Sequence, residues 1–215
     1  MSPIEIVPQT PAIGAEIRGV DLSRPLVPGT VRALEQALLA HLVLFFRGQD
    51  ITPEQQIAFA RHFGEISIPP FAPKYGTCPE LIVLDQKNPK GEGADEWHSD
   101  NTFMSEPPMG SILRAVLLPP LGGDTCFANM VAAYEALSDP IRRLVDGLSA
   151  VHDITQPLRR GIAAGHATVD LAEMQRKWPP VVHPVVRTHP KSGRRGLFVN
   201  GNSTTHLVGL SSRDN

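Results

Sequence analysis

Glu96-Trp97-His98-Ser99-Asp100-Asn101-Thr102-Phe103 sets an imidazole and a carboxylate two residues apart. On a strand, residues i and i+2 project to the same face. One short segment can therefore offer two adjacent ligands to one ion. A further histidine from elsewhere would complete a two-His, one-carboxylate triad, the donor set that holds non-haem Fe(II) and leaves one face of its octahedron open. A His-x-Asp alone says little, because both residue types commonly sit at the surface. The flanks add weight. Asp95 and Glu96 precede Trp97, and Phe103 and Met104 follow. An ionisable pair between large apolar residues predicts a partly buried pocket, where a bare carboxylate is costly without a cation.

Bulk composition narrows the classes. A chain of 215 residues is long enough for one substantial core. With 20 basic and 22 acidic residues the net charge is −2, so no basic field argues for nucleic acid. Arg159-Arg160 and Arg194-Arg195 are short runs that read as solvated loops. Two cysteines, Cys78 and Cys126, make no disulfide scaffold and point to a reducing compartment. Met1-Ser2-Pro3-Ile4-Glu5 has no signal-peptide pattern, and the longest apolar run, Leu42 to Phe46, is far too short to cross a membrane. A cytoplasmic protein with no membrane partner is the expectation.

The elements read as follows. Ile4–Val7 and Ala15–Val20 alternate like strands. Thr30–His41 reads as a helix with Val31, Leu34, Leu38 and Leu42 recurring on one face, followed by a buried strand at Leu42–Phe46. Thr52, Pro53 and Gln55 form a helix-start signature with a capping box, Gly64 marks the stop, and Ile57, Ala60 and Phe63 form the inward face. Leu81–Leu84 and Ile112–Leu118 read as strands. Ser138 reads as the cap of a helix whose core stripe is Ile141, Leu144, Val145 and Leu148. Residues 155–180 are weakly patterned and read either as a lid or as a surface insertion, with a short helix from Val169 to Trp178. Val185–Thr188 and Gly196–Val199 flank Pro190-Lys191-Ser192-Gly193 as a hairpin. Strands and helices without a βαβ rhythm predict an α+β fold, with a mainly antiparallel sheet curled into a barrel or jelly roll.

Several blocks in this order resemble the taurine dioxygenase (TauD/TfdA-like) family of Fe(II)- and 2-oxoglutarate-dependent dioxygenases. They are Gly14–Leu22, Val43–Arg47, Trp97–Phe103, Gly122-Gly123-Asp124-Thr125, Ala132–Leu137, His183–Pro190 and Leu197–Asn200. The resemblance spans essentially the whole chain and implies a single domain over 1–215, folded as a double-stranded β-helix (jelly roll) with flanking helices. It implies that His98 and Asp100 are iron ligands and that the Thr125 hydroxyl contacts a carboxylate of 2-oxoglutarate, with O2 as the second cosubstrate. Succinate and carbon dioxide are then products, alongside a hydroxylated substrate. That Asp100 is a carboxylate, where related halogenases have a small residue, favours hydroxylation. The resemblance also implies a small anionic substrate (an alkylsulfonate, sulfate ester or aryloxyalkanoate) and leaves a homo-oligomer open.

The family's third iron ligand, a histidine, and an arginine for the distal carboxylate of 2-oxoglutarate lie beyond the last residue here. The expectation is that the chain is C-terminally incomplete, with the final barrel strands missing. The alternative is a truncated, non-catalytic relative that binds or interacts. No histidine present reads as a replacement: His183 and His189 belong to the hairpin block, His41 and His62 to helices, His152 and His166 to the loop region, and His206 lies past the hairpin. Taurine-specific members carry a histidine and a tyrosine where Ile68–Ala72 stands, and an asparagine where Ala94 stands. Gly201-Asn202-Ser203 replaces an aromatic. These changes point away from taurine itself.

Overall fold

The computed structural model describes residues 3–68, 74–75, 78–84, 96–163, 165 and 168–211. Two compact units emerge, Met1–Leu84 with Ile112–Asn129, and Asp85–Ser111 with Met130–Asn215. Pro69–Ala72, Ala94, Asp95 and His166, to which the sequence reading assigned meaning, lie outside the described residues.

In the first unit, β1 (Glu5–Pro8) pairs antiparallel with β2 (Ala15–Arg18), placing Ile6 opposite Ile17. Helix α1 (Pro28–His41) is the crossover that lets β3 (Leu44–Phe46) join β2 in parallel. The helix starts two residues before the predicted Thr30, because Pro28 suits the first turn, where its missing N–H is no loss. Strand β3 starts later than predicted, because Leu42 caps the helix in the left-handed region at φ 67°. Gly14 must be glycine: its φ is +91°, and a Cβ would stand 3.1 Å from the Phe45 ring.

Helix α2 (Pro53–Ala60) opens on the predicted capping box. The Gln55 N–H donates to Thr52 Oγ1 at 3.3 Å, and the Thr52 N–H donates to Gln55 Oε1 at 2.7 Å. Helix α2 buries Ile57 as expected, but Phe59 rather than Ala60 joins the core, edge-on to Phe46 at 5.4 Å and to Phe63 at 5.3 Å. Strands β4 (Lys74–Tyr75) and β5 (Cys78–Ile82) form a small antiparallel pair. The strand expected over Ile112–Leu118 does not form; Leu113, Val116, Leu117 and Leu118 are exposed in irregular chain. An apolar run becomes a strand only where a neighbour completes its hydrogen-bond ladder, and no strand among the described residues pairs with this one.

In the second unit, α3 (Met130–Glu135) and α4 (Asp139–Val145) precede β6 (Ser149–His152). Next come α5 (Thr155–Ala163), α6 (Leu171–Lys177), β7 (Val181–Pro184), β8 (Val186–Thr188), β9 (Arg195–Leu197) and β10 (Thr204–Leu207). Strand β6 is central, with β7 and β10 antiparallel on either side. The predicted hairpin is β8–β9, with Val186 opposite Leu197. Gly196 permits α3 to lie on it, since a Cβ there would be 3.3 Å from the Met130 carbonyl.

The core gathers Tyr134, Ala150, Val185 and Val186, with Val145 and Leu148 packed against it. Ile141 and Leu144, read as core, are instead exposed, so only half of the α4 stripe is buried. At the core's edge the Tyr134 hydroxyl donates to Asp146 at 2.7 Å, and Arg195 pairs with the same carboxylate at 2.8 Å. Those donors hold the Asp146 carboxyl below the usual range. Residues 155–180 carry two helices rather than the single predicted one; Asp170 caps α6 by accepting from the Ala172 and Glu173 N–H groups. Among the described residues the sheets have three, three, two and two strands, no barrel closes, and no helix is long and apolar enough to cross a membrane.

Candidate metal centre

His98 and Asp100 sit on irregular chain that enters a turn, not on a strand. Asn101 reverses the backbone in the left-handed region at φ 55°, and the Met104 N–H closes the turn on the Asn101 carbonyl at 3.0 Å. This turn brings His98 Nε2 to 3.3 Å from Asp100 Oδ1. Their side chains are 29% and 52% exposed, and Trp97 is largely exposed, so the enclosed pocket expected from the apolar flanks is not formed by the described residues.

Each donor atom is oriented by a neighbour. His98 Nδ1 lies 2.8 Å from the Glu96 carbonyl oxygen. A carbonyl only accepts, so Nδ1 carries the proton, and in the neutral ring Nε2 keeps its lone pair. The Ser111 hydroxyl donates to Asp100 Oδ2 at 2.7 Å, which leaves Oδ1 facing the imidazole. Nε2 and Oδ1 thus face each other, an arrangement that suits a shared cation, a proton or a metal ion. Ligand atoms about 2.1 Å from one ion and at right angles stand ~3.0 Å apart, close to the separation found. The nitrogen-oxygen donor set fits iron as two of its protein ligands. Among the described residues, no third His, Cys, Asp or Glu joins them.

The segment after Asp100 is pinned in the interior. Thr102 is 1% exposed, its hydroxyl 3.0 Å from His152 Nδ1 and accepting from Asn200 Nδ2 at 3.1 Å. Phe103 is buried edge-on to Trp178 at 5.7 Å, and His183 Nε2 donates to the Met104 carbonyl at 3.0 Å. Asn200 is itself fixed, its Oδ1 accepting from the N–H groups of Asn202 and Ser203. Burial, helped by the facing His183, pushes the His152 pKa down to about 4, so the ring is neutral near pH 7.

Before the pair, Arg160 of α5 forms an ion pair with Glu96 and donates to the Gly201 carbonyl at 3.2 Å. Arg160 is therefore a helical, paired residue and not part of a solvated loop; Arg195 is likewise paired, on β9. Sequence reading also missed Ser111 and the burial of His152. Only hydrogen-bond geometry reveals the first, whereas alternation at Ala150 and His152 on β6 could have flagged the second. Thr125 belongs to the first unit, an exposed residue of irregular chain just after Gly122 and Gly123, both at positive φ as a tight turn requires.

Residues 5–215 match the family described as "Taurine catabolism dioxygenase TauD, TfdA family". The chain belongs to the TauD/TfdA family. A TauD/TfdA relative, the alpha-ketoglutarate-dependent sulfate ester dioxygenase of Pseudomonas putida, is 39% identical over 219 residues, which cover 98% of this chain and 70% of that protein. The alpha-ketoglutarate-dependent 2,4-dichlorophenoxyacetate dioxygenase of Cupriavidus pinatubonensis is 37% identical, over 94% of this chain and 75% of that one. A crystal structure of a taurine dioxygenase from Burkholderia xenovorans superposes with a TM-score of 0.81 at 38% identity, covering 99% of this chain and 68% of that one. The fold class is thus that of the TauD-like dioxygenases, the mixed helix-and-sheet jelly-roll class expected from the sequence.

Proposed function

We propose that His98 and Asp100 are two protein ligands of an Fe(II) centre in a 2-oxoglutarate-dependent dioxygenase that hydroxylates a small organic anion. The observation that carries this reading is the 3.3 Å approach of His98 Nε2 to Asp100 Oδ1, with each residue's other polar atom already engaged. Family membership favours a catalytic chain over a non-catalytic relative.

Iron(II), when bound, supplies the redox chemistry that couples dioxygen and 2-oxoglutarate to C–H hydroxylation. The residues of this chain do the rest. His98 turns its Nδ1–H to the Glu96 carbonyl and offers Nε2. Asp100 offers one oxygen and a negative charge that offsets part of the metal's. Ser111 holds the second oxygen away. Thr125 is the candidate to donate its hydroxyl to a carboxylate of 2-oxoglutarate.

For the substrate, the names of two relatives point to sulfate esters and aryloxyalkanoates and that of a third to taurine, and alkylsulfonates belong to the same set of anions. The absence of the taurine-type residues at Ile68, Ala94 and Gly201 turns the reading away from taurine. The test is anaerobic calorimetry with Mn(II), followed by succinate release from 2-oxoglutarate in the presence of Fe(II). Saturable Mn(II) binding that His98→Ala and Asp100→Ala each abolish, and succinate release stimulated by a sulfate ester or aryloxyacetate above taurine, support the proposal. Equal Mn(II) binding in all three proteins overturns the ligand assignment. Taurine turnover matching the other anions overturns the substrate assignment.

A further inference from the structure

We infer that Arg160 is a positioning residue for His98, acting through Glu96. The inference deepens the iron-site reading and rests on it only for its consequence, not for its geometry. The contacts form a closed circuit. The Arg160 guanidinium pairs with the Glu96 carboxylate, while its other nitrogen reaches the Gly201 carbonyl at 3.2 Å, an oxygen that also lies 3.4 Å from Gln156 Nε2. Gly201 follows Asn200, whose side-chain amide binds the Thr102 hydroxyl. Residues 96–102 are therefore gripped at both ends, at Glu96 by Arg160 and at Thr102 by Asn200 and His152. The two grips meet at Asn200-Gly201.

Glu96 plays two parts. Its carboxylate takes the guanidinium, and its backbone carbonyl takes the His98 Nδ1 proton at 2.8 Å. Holding the side chain of residue 96 fixes where that residue stands and where its carbonyl points. The carbonyl decides the tautomer of His98. With the proton on Nδ1, Nε2 is free to bind a cation. If the carbonyl swings away, the proton can move to Nε2, where Asp100 Oδ1 waits 3.3 Å off to accept it. The ring would then close on the carboxylate through a proton, and a metal would have to displace that proton to enter. Hydrogen bonding to the distal ring nitrogen is the general means by which proteins orient metal-binding histidines.

The Arg160–Glu96 pair is partly exposed, at 47% and 53% for the two side chains. Exposed pairs contribute little to global stability. Its removal should move His98 more than it moves the fold, and this separates positioning from a merely structural role.

The test is 15N–13C correlation NMR of histidine side chains in the metal-free protein, with the His98 signals assigned by their loss in His98→Asn. Wild type should show the Nδ1–H form for His98. Arg160→Met and Glu96→Gln should each shift the ratio toward Nε2–H by about three- to five-fold, the scale an exposed ion pair can supply. The double variant should shift no further than either single one. Arg159→Met, which removes the same charge from the adjacent position, should leave the ratio unchanged, and Arg160→Lys should restore part of it. Mn(II) binding should weaken by a similar factor in Arg160→Met, with the urea midpoint nearly constant. An unchanged His98 tautomer in Arg160→Met, or an equal shift in Arg159→Met, overturns the inference. Because the NMR readout needs no metal, failure of the iron-site reading shows separately, as wild type and His98→Ala binding Mn(II) alike.

Discussion

The Thr102 hydroxyl lies 3.0 Å from Nδ1 of His152, fully inside the second unit. This contact joins the turn that follows Asp100 to the central strand β6. Phe198 stacks on the same His152 ring at 5.8 Å, and His183 meets it edge-on at 5.1 Å. The loop bearing His98 and Asp100 is exposed, yet the point from which it hangs is among the most buried of the described residues.

Thr102→Val keeps the shape of the side chain but removes the hydroxyl. Asn200 Nδ2 then loses its buried acceptor and His152 Nδ1 its hydrogen-bond partner, while Nε2 keeps the Thr204 hydroxyl. The expected cost is about 1–3 kcal/mol, read as a lower urea midpoint with an unchanged slope. Mn(II) affinity should fall too, since the turn that aims Asp100 loses its anchor. A midpoint equal to wild type would show that the hydroxyl contributes nothing.

Stability should depend on pH through His152. Its folded pKa is lowered to about 4 while the unfolded ring titrates near 6.5. The unfolded state therefore binds more protons between these values. The contribution is complete above pH 6.5 and is lost as pH falls toward 4, a span worth roughly 3 kcal/mol. Urea midpoints of wild type and His152→Asn, compared from pH 4 to 8, should give a difference that grows with pH and levels off above 7. A constant difference would rule out this titration.

Ser111→Ala frees Asp100 Oδ2 from the Ser111 hydroxyl, which donates to it at 2.7 Å. Both partners are exposed, so stability should change by less than about 0.5 kcal/mol. Metal affinity should drop by roughly ten-fold, as expected when a ligating carboxylate loses its supporting hydrogen bond. Mn(II) titration alongside thermal melting tells the two effects apart.

Thr52→Ala removes the side-chain half of the α2 capping box and should cost about 1 kcal/mol. The cap belongs to the first unit, so Mn(II) affinity in the folded protein should match wild type. Weakened metal binding without loss of stability would contradict the separation drawn between capping and ligand positioning.

Short-range chemistry was the most legible part of the sequence. Thr52, Pro53 and Gln55 name their own helix start, and Pro190-Lys191-Ser192-Gly193 names its hairpin, because caps and turns are decided within four residues. What depended on distant partners was not legible. Ile112–Leu118 has the composition of a strand but finds no ladder among the described residues. Ile141 and Leu144 have helical spacing but find no opposing surface among the described residues. Helix α5 escaped notice because Pro157 and Gly161 interrupt its pattern, although Pro is tolerated in a first turn. At the candidate site the donor types and their spacing could be read directly. Their orientation by Glu96, Ser111 and Arg160 could not, because hydrogen bonds to a backbone carbonyl, or across 64 residues, leave no periodic trace.

The circuit through Arg160 and Asn200 also sets an order of events during synthesis. A nascent chain that has emerged only as far as residue 150 already carries both donor side chains, with nothing yet to aim them. Residues made later supply the grip, the last of them from the turn at Asn200. Until then the loop that bears His98 and Asp100 hangs without its moorings, so their mutual approach waits for the second half of the chain.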